Sequence, residues 1–170
     1  MAKELINDIE STARELLRVI DGFGQENFNE VPYKDSWTPG QVVEHIWLST
    51  SGILATVNGK TGPTMRDPGE KAPPLKDAFL NFNIKMQSPD FILPSNDPKN
   101  KKTLVKMMEE TWTGISRAAA TQDLKATCLD FDMPVMGPLT RLEWFSFVVV
   151  HTQRHIWQLK KMAVITGIAK

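Results

Sequence analysis

One stripe of residues near the C-terminal end of the chain constrains the fold more than any other feature. A capping box, Thr140 to Glu143, opens a predicted helix that runs to about Ile165. One face of this helix carries Trp144, Val148, His151, His155, Leu159 and Met162. The face is apolar at both ends and is interrupted only by two imidazoles. The sequence therefore predicts a long helix with two polar rings on its buried side.

Three other segments show apolar residues at steps of three and four, which is the pattern of a helix packed on a core. Together with the C-terminal helix, the predicted helices are Leu5–Ile20, Thr38–Asn58, Leu104–Ala118 and Thr140–Ile165. A second capping box, Thr38 to Gln41 with Pro39 at the first helical position, marks where the Thr38 helix begins. The pattern predicts an all-α protein, built as a four-helix bundle over residues 1–170 as one domain.

The segments between these helices are less regular. From Asn58 to Pro74, glycines and prolines predict a long surface loop without helix or strand. A short helix is expected from Leu75 to Met86, and the apolar side chains from Phe91 to Leu93 are expected to dock on the bundle. The alternation that marks strands is nearly absent, so no sheet is predicted.

Charge and composition exclude several classes of protein. Lys plus Arg and Asp plus Glu number twenty each, so no net field attracts nucleic acid, and the short basic cluster Lys99–Lys102 is interpreted as solvated. The apolar run Phe145–Val150 is too short to span a membrane. The first residues do not resemble a secretion signal, and a single cysteine, Cys128, fits a reducing compartment. A cytoplasmic protein without nucleic-acid or membrane partners is expected, with Cys128 as a small buried hydrophobe.

The three histidines carry the predicted chemistry. His151 and His155 are four residues apart, so their rings project side by side from one helix and can bind one ion. His45, the only other histidine, lies at the buried edge of the Thr38 helix. Two core or surface histidines satisfied by hydrogen bonds are the alternative interpretation of the pair. Three buried imidazoles need a partner for their polar atoms, and a divalent metal ion provides one.

Three protein ligands would leave coordination positions open, as in reactive rather than structural sites. Because neutral imidazoles leave the ion's charge uncancelled, an anionic ligand such as hydroxide, thiolate or carboxylate is expected. Hydrolysis and thiol transfer to a small-molecule substrate both remain open. Zinc or nickel is the expected ion, with iron or manganese as alternatives, since histidine suits several metals.

Other polar residues near these histidines are secondary candidates. Gln41 and Gln158 each lie about one turn from a histidine and could hydrogen-bond an imidazole or a metal-bound water. Glu44 and Arg154 could serve as a proton relay and an anion clamp. Solvent-exposed positions are the alternative for all four side chains. The tryptophans Trp37, Trp47, Trp144 and Trp157 are interpreted as packing groups rather than substrate platforms.

These motifs together resemble the DinB/YfiT-like superfamily. The resemblance rests on Trp37-Thr38-Pro39 leading to His45, on Gly137-Pro138-Leu139-Thr140 with Glu143, and on the segment HTQRHIWQL that contains His151 and His155. It implies a four-helix bundle with an up-down-down-up connection, often dimeric, whose metal ligands are His45, His151 and His155. It also implies a metal-dependent transferase that uses a low-molecular-weight thiol, or an isomerase, although many members have no known reaction.

Two hypotheses of different classes follow. In the first, the chain is a metal-dependent enzyme, a thiol transferase or hydrolase, and the loop from Asn58 to Pro74 covers its site. In the second, it is a non-catalytic bundle that stores or senses a metal, or that dimerises, in a stress-related or interaction role.

Overall fold

The computed structural model describes residues 2–168, most of which are helical. The helices are α1 (Ala2–Asp21), α2 (Pro39–Asn58), α3 (Ala72–Phe79), α4 (Lys101–Thr121) and α5 (Arg141–Ile165). Two-residue strands β1 (Thr61–Gly62) and β2 (Thr127–Cys128) pair antiparallel, and short 3-10 turns occupy Asn27–Asn29 and Asp90–Ile92. Within this part of the chain, none of the helices combines the length and apolarity that crossing a bilayer requires.

Both predicted capping boxes form, and each fixes the residue at which a helix begins. The hydroxyl of Thr38 accepts from the backbone N–H of Gln41 at 3.1 Å, while the Gln41 side chain accepts from the Thr38 N–H at 3.0 Å. Thr140 and Glu143 make the same reciprocal pair at 3.2 and 2.9 Å. These bonds satisfy amides that an unfinished helix end leaves without partners. The predicted starts of α2 and α5 are confirmed.

Helix α2 packs between α4 and α5. Contacts at the C-terminal end of α2 show how it is directed relative to each of them. The guanidinium of Arg141, at the start of α5, donates to the carbonyl of Val57 at 2.8 Å, so α2 and α5 are antiparallel. The side chain of Gln122, just after α4, donates to the side chain of Asn58 at 2.5 Å. Helices α2 and α4 therefore run in parallel.

Helix α1 packs on the other sides of α4 and α5 and completes the bundle. The ammonium of Lys101, at the start of α4, donates to the carbonyl of Phe23, just after α1, at 2.6 Å, so α1 and α4 are antiparallel. Helices α1 and α5 thus point one way and α2 and α4 the other. This is the up-down-down-up arrangement, in which the α1–α2 and α4–α5 connections join diagonal helices, whereas α2 and α4 are neighbours.

The core lies where these four helices meet. Its fully buried side chains include Ile9, Leu16, Ile20, Val42, Ile46, Met108, Ile115, Phe145, Val148, Leu159 and Met162. Gly114, an unfavourable residue inside a helix, has a packing reason here. A Cβ at this position would come within 2.6 Å of the Leu54 side chain, so glycine allows α4 to approach α2 closely.

The expectations for the segment after α2 were partly wrong. Strand β1 lies inside the predicted loop 58–74, and α3 begins at Ala72 and ends at Phe79 rather than spanning Leu75–Met86. Pro73 and Pro74 do not prevent this helix, because they occupy its first turn, where no amide hydrogen is needed. Strands of two residues are too short to show any alternation in sequence.

Burial refines two further expectations. Lys99 is only 6% exposed, since it packs against Gly40 and pairs with Glu44 at 2.6 Å, so the basic cluster is not wholly solvated. The side chains of Phe91 and Leu93 are 62% and 45% exposed, although the turn Asp90–Ile92 contacts α2. Cys128 is buried and unpaired, as expected, and burial raises the pKa of its thiol.

A buried ion pair ties the loop before α3 to the start of α5. The carboxylate of Glu143 is fully buried and accepts from both terminal nitrogens of Arg66 at 2.5 and 2.6 Å. It also accepts from the backbone N–H of Lys71 at 2.8 Å and of Thr140 at 2.9 Å. Burial alone would raise the pKa of Glu143, but these bonds outweigh it and lower the pKa.

Replacing Glu143 with Gln removes the charge but keeps the size of this side chain. Because the Arg66 guanidinium would lose its buried counter-ion, we expect the free energy of unfolding in urea to decrease by about 3 kcal/mol. The control is Glu15→Gln, whose carboxylate pairs with Arg18 and Lys160 at the surface. That change should cost less than about 1 kcal/mol. Equal losses in the two variants would show that the buried pair has no special role.

Candidate metal centre

The three histidines converge, as the sequence predicted. Helix α2 contributes His45, and α5 contributes His151 and His155 one turn apart. Nε2 of His151 lies 3.2 Å from Nε2 of His45 and 3.3 Å from Nε2 of His155. One nitrogen of each ring falls within 4.8 Å of the others. Two imidazole nitrogens on one tetrahedral zinc ion are about 3.3 Å apart, so this spacing fits a shared ion.

Hydrogen bonds on the far side of two rings fix their tautomers. Nδ1 of His45 donates to the carbonyl of Ile92 at 2.8 Å, and Nδ1 of His155 donates to the Gln158 side-chain oxygen at 2.9 Å. Each Nδ1 therefore carries the proton in a neutral ring, and each Nε2 presents a lone pair to the cluster. Partners of this kind commonly orient the histidines that bind metals.

His151 makes the need for a central cation clear. Its Nδ1 is buried and has no hydrogen-bond partner in the described part of the chain, while its Nε2 faces the lone pairs of His45 and His155. A single proton on Nε2 could satisfy only one of those lone pairs. With the proton on Nδ1, three lone pairs would face each other. A cation placed between the three Nε2 atoms would accept all three lone pairs, so the residues fit a metal ion.

Protonation of the rings does not resolve this conflict near neutral pH. Burial lowers the pKa of His45, and it lowers that of His151 well below 6.5, helped by the charges that His155 and His45 would carry. Burial also lowers the pKa of His155 to about 3. All three rings are neutral at pH 7, which is the form that binds metals.

The rings border a cavity of about 1380 Å³. Aromatic side chains surround them there: the Trp37 ring lies 5.2 Å from that of His45, and the Phe147 and Phe79 rings lie 5.2 and 5.9 Å from that of His151. Pockets for small ligands are typically apolar with a few converging polar groups. An ion held by the three histidines would therefore face space for a small molecule.

The secondary candidates separate into two groups. Gln158 contacts an imidazole, as described for His155. Gln41 does not, because its side chain completes the capping box and donates to the carbonyl of Ser95 at 3.2 Å. Glu44 is likewise engaged elsewhere, since it pairs with Lys99 and accepts from the N–H of Ser95 at 2.7 Å.

Arg154 lines the cavity and is not simply an exposed charge. Its guanidinium donates to the carbonyls of Phe79 at 3.1 Å and Asn81 at 3.0 Å, and also to that of Ile84. The residue pattern gave no sign of this role, nor of the carbonyl of Ile92 that orients His45. Both contacts involve backbone carbonyls distant in sequence, for which a residue pattern carries no signal.

The tryptophans make packing contacts, and they differ in how far they are buried. Trp144 is 2% exposed, and Trp47 is partly buried against the core, as expected. Trp157 is 43% exposed, but its ring packs against that of Phe82 in a stacked arrangement at a separation of 4.8 Å. Trp37, Trp144 and Trp157 all line the cavity.

The metal-free protein should lose stability as the pH falls. The pKa of His155 is about 3 when folded, against an ordinary value of 6.5, so the unfolded chain binds more protons between these values. This residue alone should lower the free energy of unfolding by about 1.4 kcal/mol per pH unit below 6.5, and not at all above it. Urea titrations across this range will measure the slope. His155→Leu should make it shallower, and an unchanged slope would contradict the assignment.

Gln158 should matter for metal affinity without being a ligand. Gln158→Ala removes the acceptor that orients His155, so we expect the dissociation constant for zinc to rise by about 10- to 100-fold in competition with a chromogenic chelator. Gln153→Ala on the same helix is the matched control, and its affinity should not change. Equal affinities of the two variants would show that the hydrogen bond to His155 has no effect on binding.

Comparisons with known proteins add to this geometry. The model of a family described as the DinB superfamily matches residues 8–159. The chain is 24% identical over 148 residues to the uncharacterized protein YuaE of Bacillus subtilis (strain 168), covering 84% of this chain and 87% of YuaE.

Two solved structures share the fold. TT2238, described as a four-helix bundle protein, has a TM-score of 0.57 at 17% identity, covering 95% of this chain and 99% of TT2238. YfiT from Bacillus subtilis, described as a probable metal-dependent hydrolase with an unusual four-helix bundle topology, has a TM-score of 0.55 at 19% identity. That alignment covers 98% of this chain and 87% of YfiT.

Proposed function

The chain belongs to the DinB superfamily, and from this premise we propose that it is a metal-dependent enzyme acting on a small molecule. One divalent ion held by His45, His151 and His155 would activate either water or a low-molecular-weight thiol. The observation that carries the proposal is the convergence of three Nε2 atoms, separated by 3.2 and 3.3 Å, beside an aromatic cavity.

The three metal ligands are typical of a catalytic metal site rather than of a structural one. The described residues that cluster there are three neutral imidazoles, without carboxylate or thiolate. Structural zinc sites usually have four protein ligands, whereas three leave a position for water or substrate. When bound, such an ion would supply Lewis acidity and lower the pKa of a water or thiol. Zinc or nickel is the expected ion, with iron or manganese as alternatives.

The chain's own residues would prepare the site in three ways. The carbonyl of Ile92 and the side chain of Gln158 orient His45 and His155 so that their lone pairs point inward. The rings of Trp37, Phe79 and Phe147 lie beside the cluster and make its surroundings apolar, which strengthens electrostatic interactions there. The polypeptide supplies no negative charge at the ligands, so an anionic substrate group or nucleophile is favoured.

Water and thiol are the two nucleophiles that this chemistry allows. The description of YfiT as a probable metal-dependent hydrolase supports water. The resemblance of the histidine motifs to thiol-dependent transferases supports a thiol. A cytoplasmic homodimer with one domain over residues 1–170 completes the proposal; the buried Cys128 is consistent with a reducing compartment, and dimerisation rests on the family resemblance.

Metal analysis with activity assays tests the proposal. Purified protein should contain one divalent ion per chain by elemental mass spectrometry, and His45→Ala, His151→Ala and His155→Ala should each remove it. The metal-loaded protein should hydrolyse activated esters or amides, or transfer a thiol to an alkylating electrophile. Chelation should abolish the rate and metal addition should restore it.

The outcomes distinguish the alternatives. Turnover that needs only water identifies a hydrolase, and turnover that needs an added thiol identifies a transferase. A bound ion without exchangeable water and without turnover would instead support a storage, sensing or structural role. Protein that binds no divalent ion would refute the proposal entirely.

A further inference from the structure

The cavity beside the three histidines extends far along α5 in both directions. Its lining on this helix runs from Trp144 to Lys161 at steps of three and four residues, which keeps these side chains on one face. At 1.5 Å per residue, this stretch is about 25 Å long. An ion at His151 and His155 would occupy only its middle, so a bound molecule has space on either side.

One side of the cavity is an aromatic wall. Ring centroids follow one another from His151 to Phe147 at 5.2 Å, from Phe147 to Trp144 at 6.0 Å, from Trp144 to Phe131 at 6.0 Å and from Phe131 to Phe91 at 5.6 Å. Phe131 and Phe91 remain 38% and 62% exposed. Exposed rings that continue a buried aromatic row are suited to contact an apolar ligand.

The other side of the cavity is basic. Arg154 and Lys161 lie about one and three turns beyond His151 on α5, and Lys34 and Lys85 join them in the lining. No carboxylate of residues 2–168 forms an ion pair with any of these four cations. The guanidinium of Arg154 donates to carbonyls of the backbone, which leave its charge uncancelled.

Lys161 is held at the cavity, and the residues that line the cavity carry a net positive charge. Its ammonium lies 5.6 Å from the Trp157 ring centroid and 5.9 Å from that of Tyr33, so two aromatic faces hold it at the cavity. The acids in the lining are Asp35 and Asp90, so four cations exceed two carboxylates and leave an excess of two positive charges before any metal binds.

We propose that the cavity binds an elongated amphipathic anion. Its aromatic or alkyl end lies along Phe147, Trp144 and Phe131, its carboxylate or similar group lies near Arg154 and Lys161, and its middle passes the three histidines. This deepens the proposed function by naming a substrate class, and it rests on that function only for the position of the reacting bond. Binding itself needs no metal.

Calorimetry on the metal-free protein tests the two ends separately. The probes are 6-phenylhexanoate, its neutral analogue 6-phenylhexanamide, and hexanoate, which lacks the ring. We expect the phenyl carboxylate to bind about 3- to 10-fold more tightly than the amide, since exposed charges contribute modestly. It should bind at least about 10-fold more tightly than hexanoate, since a ring buries a large apolar area. Equal affinity of the carboxylate and the amide, or of the carboxylate and hexanoate, would overturn the proposal.

Variants of the cavity residues test where the two ends of the anion bind. The double variant Lys85→Gln/Lys161→Gln should reduce the preference for carboxylate over amide, since Arg154 remains, whereas Phe131→Ala should weaken both phenyl probes and leave hexanoate unchanged. Lys106→Gln is the control, because this lysine is 77% exposed on α4 and outside the cavity. Circular dichroism will verify that each variant is helical. If Lys106→Gln changed the preference for carboxylate over amide equally, the preference would come from the overall charge of the protein. That result would overturn the placement of the carboxylate in the cavity.

Relaxation measurements on manganese-loaded protein test how the anion is oriented in the cavity. Paramagnetic relaxation of the 6-phenylhexanoate protons should be strongest for the central methylene groups. Strongest relaxation next to the carboxylate would mean that this group binds the ion, which would overturn the proposed orientation. Because 6-phenylhexanoate contains no bond that water or a thiol could cleave, turnover is measured with the activated esters, amides and alkylating electrophiles. Probe binding together with no turnover of those substrates would refute the enzymatic proposal while leaving the ligand class intact, so the two failures are distinguishable.

Discussion

The packing of three neutral imidazoles against one another is the constraint on which the site depends. Buried polar atoms are costly unless they find partners, and here the lone pairs of His45 and His155 both point at Nε2 of His151. Such an arrangement persists only if the bundle imposes it or a cation relieves it. The antiparallel packing of α2 and α5 supplies the geometry, because it sets the second turn of one helix beside the middle of the other.

Much of this arrangement could be predicted from local sequence. The two capping boxes determine where α2 and α5 begin, and therefore how far along each helix the histidines lie. The periodicity of apolar residues determines which face carries them. The direction of the helices was available only through the family resemblance, because a connection between diagonal helices leaves no local pattern in its residues.

The remaining features depend on contacts distant in sequence. The carbonyl of Ile92 that orients His45 could come from any residue type, so no motif reports it. The buried pair of Arg66 and Glu143 links segments 77 residues apart, and the sequence indicates Glu143 only as part of a capping box and of the family motif. Two prolines led to a wrong prediction. Pro73 and Pro74 favour a loop in the sequence, yet they lie in the first turn of α3.

X-ray absorption spectroscopy of the zinc- or nickel-loaded protein examines the three-histidine site itself, because it counts the imidazoles around the ion. We expect three imidazole nitrogens at about 2.0–2.1 Å, together with a water or hydroxide oxygen that chloride or a thiol can replace. His45→Ala should reduce the count to two. A spectrum with one imidazole or none, or with a protein sulfur at about 2.3 Å, would contradict the claim that these three histidines hold the ion.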